Sequence, residues 1–380
     1  MPERPNAAAG GRLAYLDWMR GFAVLVMIES HVFDSFMRRD LRDSSAYVLS
    51  QFVGGLAAPL FLFLAGMMVG FRMERRDEAG LGPRGRAWDV LKRAGYIMLI
   101  AELMLLQQWL FMWRYSAWTH LLRADILNCM AVAIAVTSIV ALAPREKRPG
   151  AAIVLGAAIA AIAPVISVID WSWAPQFLRE YIVPAHGHFA IFPEAAYVPF
   201  GVVAAIAIRR SGEQQFEAMK WIGLAGLLLL YAGEFFSNQP YSLYAKSDFW
   251  VNSPGLIVIR TGIMALVIAF SFLWTRFGVL VEFVRQMGTT SLLIYWVHVE
   301  LVYGAWLPWL KHHLTGAEAA LATLAVAVAM YVLSVVKTRA AQRIRNKFRS
   351  PVSAKGADGI DDGGPLKAAR QFAGSGHPRQ

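Results

Sequence analysis

Cysteine is nearly absent. Cys129 stands alone, which excludes an internal disulfide and leaves the redox compartment unreadable. Charge is scarce as well. Only 17% of the 380 residues are charged, where a soluble domain carries about a quarter, so the chain has too few to cover its surface with water-facing groups. No soluble domain and no repeat at a fixed short period stands out. A cleavable leader is not expected either. The first apolar stretch holds Asp17, Arg20, Glu29 and His31, too many ionisable groups for a leader core, and no small-residue cleavage pattern follows.

What is abundant is apolar. The hydrophobic fraction is 57% and the mean hydropathy is +0.44, so the surplus apolar surface needs lipid. Thirteen Trp and twelve Tyr suit the belts at membrane–water interfaces. A net charge of +11 would fit a nucleic-acid binder, but the cations lie between apolar runs and in the tail. That placement fits cytoplasmic anchoring of membrane helices and no nucleic-acid partner.

The apolar runs fall at 15–37, 48–71, 89–111, 123–143, 151–169, 192–209, 219–236, 253–274, 287–306 and 317–336. Each approaches the ~20 residues that cross ~30 Å of hydrocarbon. They predict an all-α, polytopic transmembrane helix bundle of about ten spans. Three regions follow: a polar N-terminus over 1–12, a membrane domain over 13–336, and a tail over 337–380 that starts basic and then turns Gly, Asp and Ser rich. The tail reads as a surface helix fading into disorder. The stretch 170–190 is too broken by Pro, Gly and charge to span and reads as a structured loop or re-entrant piece. With the N-terminus inside, the inner loops 72–93, 144–150, 209–220 and 275–286 hold fifteen cations against eight in the outer loops. Both ends are therefore expected on the cytoplasmic side.

Charges inside hydrocarbon cost about 3 kcal/mol or more each, so they should face partners or a wet cavity. In that topology Glu29, His31, Asp34, Asp125, Glu194, Glu234 and Arg260 sit in outer halves or ends of spans, and His298 and Glu300 past the middle of span 9. Asp17, Arg20, Lys92 and Arg93 sit toward the inside. The pattern predicts a polar cavity open outward with a narrower basic entrance from within; snorkelling of the terminal acids is the plainer alternative. Arg20 and His31 are eleven residues apart, about 20° beyond three full turns and ~16.5 Å along a helix, so they share a stripe. Asp17 lies one turn before Arg20 and can pair with it. In span 9, Tyr295 and His298 share a face, which Ser291 extends. An imidazole at depth suits general-base work, while an interhelical hydrogen-bonded pair is the structural alternative. His186 and His188 have ligand-like spacing but lack companions, and His312 and His313 read as exposed-loop residues. No metal site is expected.

Several motifs resemble the bacterial relatives of heparan-α-glucosaminide N-acetyltransferase. They are RLAYLDWMRGFAVLVMIESH in span 1, AAPLFLFLAGMMVG in span 2, RADILNCMAVAIAV at span 4 and HFAIFPEAAYVPFG entering span 6. The Arg-x10-His spacing and SLLIYWVH are also similar to the broader membrane acyltransferases that decorate cell-envelope sugars. The resemblance covers about 12–336. It implies transfer of an acyl group, usually acetyl from cytoplasmic acetyl-CoA, to a sugar or glycan outside the bacterial inner membrane. Arg20 and His31 inherit the Arg-x10-His roles and His298 the span 9 histidine role. The lysosomal enzyme has Asn at the place of His31, so the choice of base stays open between His31 and His298, and glucosamine is not carried over.

On that reading His31 or His298 takes the acceptor proton, Tyr295 or Ser291 donates to the oxyanion, and Arg20, Asp17, Lys92 and Arg93 form the acyl-CoA entrance. Trp113, Trp118, Trp171, Trp173, Trp250 and Trp306 could stack on a sugar or form an interfacial belt. The two imidazoles are expected to meet in a wet pocket within the bilayer. The main rival is a proton-coupled transporter, since intramembrane His, Glu, Asp and Arg also build proton relays; paired broken helices, its usual companion, are not evident. A non-catalytic scaffold would have little use for so many buried charges. A homo-oligomer is left open.

Overall fold

A computed structural model describes residues 13–114, 116–184 and 189–349. Among the described residues there are fourteen α-helices and no β-strand. The first is α1 (Ala14–Phe36), and α2 (Ser45–Gly54) runs almost directly into α3 (Ala57–Glu78). Then come α4 (Pro83–Met112), α5 (Ile126–Thr137), α6 (Arg148–Val168), the short α7 (Gln176–Ile182) and α8 (Ile191–Glu194), and α9 (Tyr197–Arg210). The chain closes with α10 (Gln215–Ser237), α11 (Pro254–Phe277), α12 (Val281–Thr289), α13 (Ser291–Tyr303) and α14 (Gly316–Arg349).

Eight helical stretches are long and apolar enough to cross a bilayer: Ser45–Glu78, Pro83–Met112, Trp118–Leu142, Arg148–Val168, Ile191–Arg210, Gln215–Ser237, Pro254–Phe277 and Gly316–Asn346. The protein is a polytopic helical membrane protein. Two further apolar runs are α1, whose ionisable residues lower its hydropathy, and the α12–α13 pair, which is broken at Thr290. Outward faces are apolar, with Val154, Leu228, Tyr231 and Leu321 exposed. Such a surface is stable against lipid tails and not against water.

Local signals start the helices where the chain needs them. Ser253 caps α11 by accepting from Gly255 N, with Pro254 in its first turn, and Asp125 with Asn128 forms a capping box at α5. Between membrane helices no hydrophobic effect drives contact, so close approach of backbones matters. Gly21 of α1 meets the Val284 carbonyl of α12, and Gly288 of α12 meets the Asp17 carbonyl of α1; neither position has room for a Cβ.

At one end of the bundle the helix termini are tied by ion pairs, the central ones buried. Glu74, wholly buried, accepts from Arg145 (3.0 Å), Arg148 (3.1 Å) and Arg210 (3.1 Å). Asp77 receives Arg148 and Arg86, both at 2.6 Å. Arg72 and Arg76 share Asp89, and Arg209 clasps Glu78 at 2.7 Å. Ends of α3, α4, α6 and α9 are thus knit into one polar clamp.

The region read as an irregular loop carries α7, and His186 and His188 lie outside the described residues. A second compact unit starts at Val335; its described part, 335–349, is helical. The expectations for 1–12 and for the end of the tail fall outside the described residues.

Candidate active site

α1 is one unbroken helix, so Arg20 and His31 do share its stripe. Arg20 Nη1 donates to Asp17 Oδ1 at 3.2 Å; the carboxylate is buried and the guanidinium partly exposed. Lys92 and Arg93 are on an exposed face of α4, their cations 5.7 Å and 5.3 Å from the Trp88 and Tyr96 ring centres of the same helix. Each cation thus lies over an aromatic ring of its own helix.

Three turns above Arg20, α1 meets α13. His31 Nδ1 and His298 Nε2 are 3.0 Å apart, a hydrogen bond across 267 residues of sequence. The ring centres are 5.2 Å apart with planes only 13° from parallel, as an end-on bond in a shared plane requires. His298 is 0% exposed, while His31 is half-buried. On its far side His298 Nδ1 lies 2.7 Å from the Ile294 carbonyl, one turn earlier in α13. The edge of Tyr303 rests on the His31 ring at 5.1 Å and 66°.

A polar frame fixes the two helices around this pair. Ser35 Oγ donates to the Val302 carbonyl at 2.8 Å. Lys311, on the connection to α14, donates to Ser35 Oγ at 2.9 Å and to the same Val302 carbonyl. Burial pushes the Lys311 ammonium below the ordinary lysine range, and the Asp34 carboxylate opposes that shift. The amides of His312, His313 and Leu314 cap the end of α1 by bonding the carbonyls of Ser35 and Phe36. The tandem histidines 312 and 313 therefore act here through their backbone. Asp34 accepts from Arg42, Tyr47 and Tyr303, each at 3.1 Å.

On the other flank, Tyr295 Oη donates to Asp125 Oδ2 at 3.0 Å, while Asp125 Oδ1 caps α5 through the amide of Ile126 at 2.7 Å. The Tyr295 hydroxyl proton is committed to this carboxylate. Asn128 then donates to Glu102 at 2.9 Å, and Trp296 to Gln107 at 2.6 Å, so α13 is braced against α4 and α5. A separate pair, Glu194 and Arg260, closes to 3.8 Å between α8 and α11. Among the described residues no cluster of three His, Cys, Asp or Glu is placed to hold a metal.

The model of the family described as heparan-alpha-glucosaminide N-acetyltransferase, catalytic, matches residues 12–240, more than half of the chain. The chain belongs to the heparan-alpha-glucosaminide N-acetyltransferase catalytic family. Membership makes it an acetyltransferase-type membrane enzyme. No curated protein matches the chain. The part matched to the N-acetyltransferase family contributes Arg20, His31, Asp34 and Asp125, whereas Tyr295, His298 and Lys311 come from beyond it.

Sequence reasoning named both histidines but did not find their frame. Tyr303, Ser35 and Lys311 carry no motif, and only the fold brings them to His31. Asp125 was visible as an acid at a helix start, a capping signal; its bond to Tyr295, 170 residues away, was not.

Proposed function

We propose that the chain moves an acetyl or similar acyl group from cytoplasmic acyl-CoA to a sugar or glycan on the outer side of a bacterial inner membrane. The observation that carries this reading is the 3.0 Å contact between His298 of α13 and His31, which shares α1 with Arg20. A histidine pair accepts the acceptor's O–H or N–H proton as its oxygen or nitrogen attacks the thioester carbonyl. The carbon–sulfur bond then breaks, and the CoA thiolate takes up the proton.

Arg20 supplies a cation for a CoA phosphate. It stands ~16.5 Å along α1 from His31, a distance that an extended pantetheine arm spans. The bias of cations toward one set of loops supports placing that end, with both termini, in the cytoplasm. The run of ten apolar segments supports ten spans, an even number that agrees with this orientation. Tyr295 holds Asp125 in place through its hydroxyl. Lys92 and Arg93 belong to the cationic surface that acyl-CoA meets first.

The test uses inside-out vesicles given radiolabelled acetyl-CoA. Label is expected in an envelope glycan, and Arg20→Ala is expected to raise the Michaelis constant for acetyl-CoA with little change in turnover. Absence of label, together with solute uptake driven by a proton gradient, would transfer the protein to the transporter class.

A further inference from the structure

The two histidines are chemically unlike, although the sequence offers both as the base. A carbonyl oxygen only accepts hydrogen bonds, so His298 Nδ1, 2.7 Å from the Ile294 carbonyl, carries the proton of that ring. In the neutral imidazole the other nitrogen, Nε2, is then a lone-pair acceptor. His31 Nδ1 faces it at 3.0 Å and must be the donor. The proton of neutral His31 is thereby fixed on Nδ1, and its Nε2 is left bare. A backbone carbonyl in α13 sets the tautomer of a side chain in α1 through one intervening ring.

Exposure points the same way. His298 has no accessible surface, and both of its nitrogens are occupied by protein atoms, so it cannot touch an acceptor. His31 is only half-buried and keeps one nitrogen free of the pair.

From this order of protons we propose that His31 Nε2 is the general base of the acyl transfer and that His298 is a positioning residue, holding His31 in its Nδ1–H tautomer. The assignment rests on the acyltransferase reading above. In the step, His31 Nε2 takes the proton from the acceptor O–H or N–H while the new bond to the acyl carbon forms. The thiolate released by carbon–sulfur cleavage receives that proton from Nε2, giving free CoA and neutral His31. Throughout, His31 Nδ1–H keeps donating to His298 Nε2, so no proton passes between the rings. Imidazolium formation strengthens that bond, because a charged donor bonds more strongly than a neutral one. The orienting partner is a neutral ring, in contrast to the carboxylate that orients histidine in serine-protease triads.

Two side chains separate this role from a purely structural one. Asparagine places a donor where His298 Nδ1 stands, keeping the bond to Ile294 but falling short of His31. Glutamine reaches as far as Nε2 and presents an oxygen to the His31 Nδ1–H. In inside-out vesicles with radiolabelled acetyl-CoA, His298→Asn is expected to lower kcat about 10²-fold at unchanged KM, and His298→Gln to recover most of that loss. His31→Ala and His31→Gln are expected to lose about 10²–10⁴-fold, the contribution of a general base. Equal activity of the Asn and Gln variants would overturn the assignment, as would His298→Gln falling as far as His31→Gln. The wild-type protein gives a second reading that needs no variant to be active. With its eight histidines ¹⁵N-labelled and the protein in bilayers, NMR is expected to find His31 and His298 both protonated on Nδ1. A proton on Nε2 of either ring would refute the relay. Absence of transfer by the wild type would instead overturn the acyltransferase reading, while the spectrum still decides the order of protons.

Discussion

Substituting one glycine on α12 tests how α1 is held in the bundle. A methyl at Gly288 would overlap the Asp17 carbonyl oxygen, and would come 2.7 Å from its carbon and 2.8 Å from the Gly21 amide nitrogen, where ordinary contact begins at 3.4 Å. All three are backbone atoms of α1 and cannot swing aside as a side chain would. The two helices must part by roughly an ångström or more, and close-packed interiors resist such shifts. Overpacking of this kind costs about 1–3 kcal/mol, and the parted helices lose dispersion contacts along their length, which is the main attraction available within lipid. Gly288→Ala is therefore expected to lower the unfolding free energy by about 2–3 kcal/mol. The control is Gly95→Ala on α4, where an added Cβ meets nothing within 4 Å. There the same chemical change should be neutral or stabilise by up to about 1 kcal/mol through helix propensity. Reversible unfolding in mixed detergent micelles reads both variants. Equal stability of Gly288→Ala and Gly95→Ala would refute the close crossing of α1 and α12, and with it the rigid seat of Arg20 and Asp17.

Arg148→Met removes a fully buried guanidinium from between Glu74 and Asp77; a loss of about 3–5 kcal/mol is expected, read as a lowered thermal midpoint, and an unchanged midpoint would show the clamp to be dispensable. Tyr295→Phe and Asp125→Asn, alone and together, should show a coupling of about 0.5–3 kcal/mol, and strict additivity of their unfolding free energies would deny the 3.0 Å bond. Lys311 gives a pH dependence. Its folded-state pKa is lowered by burial, so the folded state binds its proton less readily than the unfolded state does. Below the lowered pKa the charged form penalises folding, and the penalty fades as pH rises toward the ordinary lysine value. Wild type should gain stability relative to Lys311→Met across that interval; a constant difference between the two would contradict the buried environment of the ammonium.

Much of the fold was legible because membrane spans advertise themselves by composition. The run 192–209 became Ile191–Arg210, and 151–169 became Arg148–Val168. The single run 287–306 did not survive whole, since the chain breaks at Thr290, where Thr290 Oγ1 and Gln286 bond Ser334 instead of continuing an apolar face. Arg20 and His31 could be placed on one stripe because eleven residues of one helix fix their relation by geometry alone. Partners across helices were a different matter. Glu74 finds Arg145, Arg148 and Arg210, and Asp34 finds Tyr303, at separations between 71 and 269 residues. Local periodicity holds no record of such pairings. The sequence offered two histidines as equivalent; only the neighbours of each ring tell them apart.

The most direct measurement is acetyl transfer by purified protein in sealed proteoliposomes, with labelled acetyl-CoA on one side and an envelope glycan fraction on the other. Wild type is expected to label the glycan, and His31→Ala to fall by about 10²–10⁴-fold while keeping the wild-type helical spectrum and thermal midpoint. Transfer by His31→Ala at the wild-type rate would contradict a reaction centred on that imidazole.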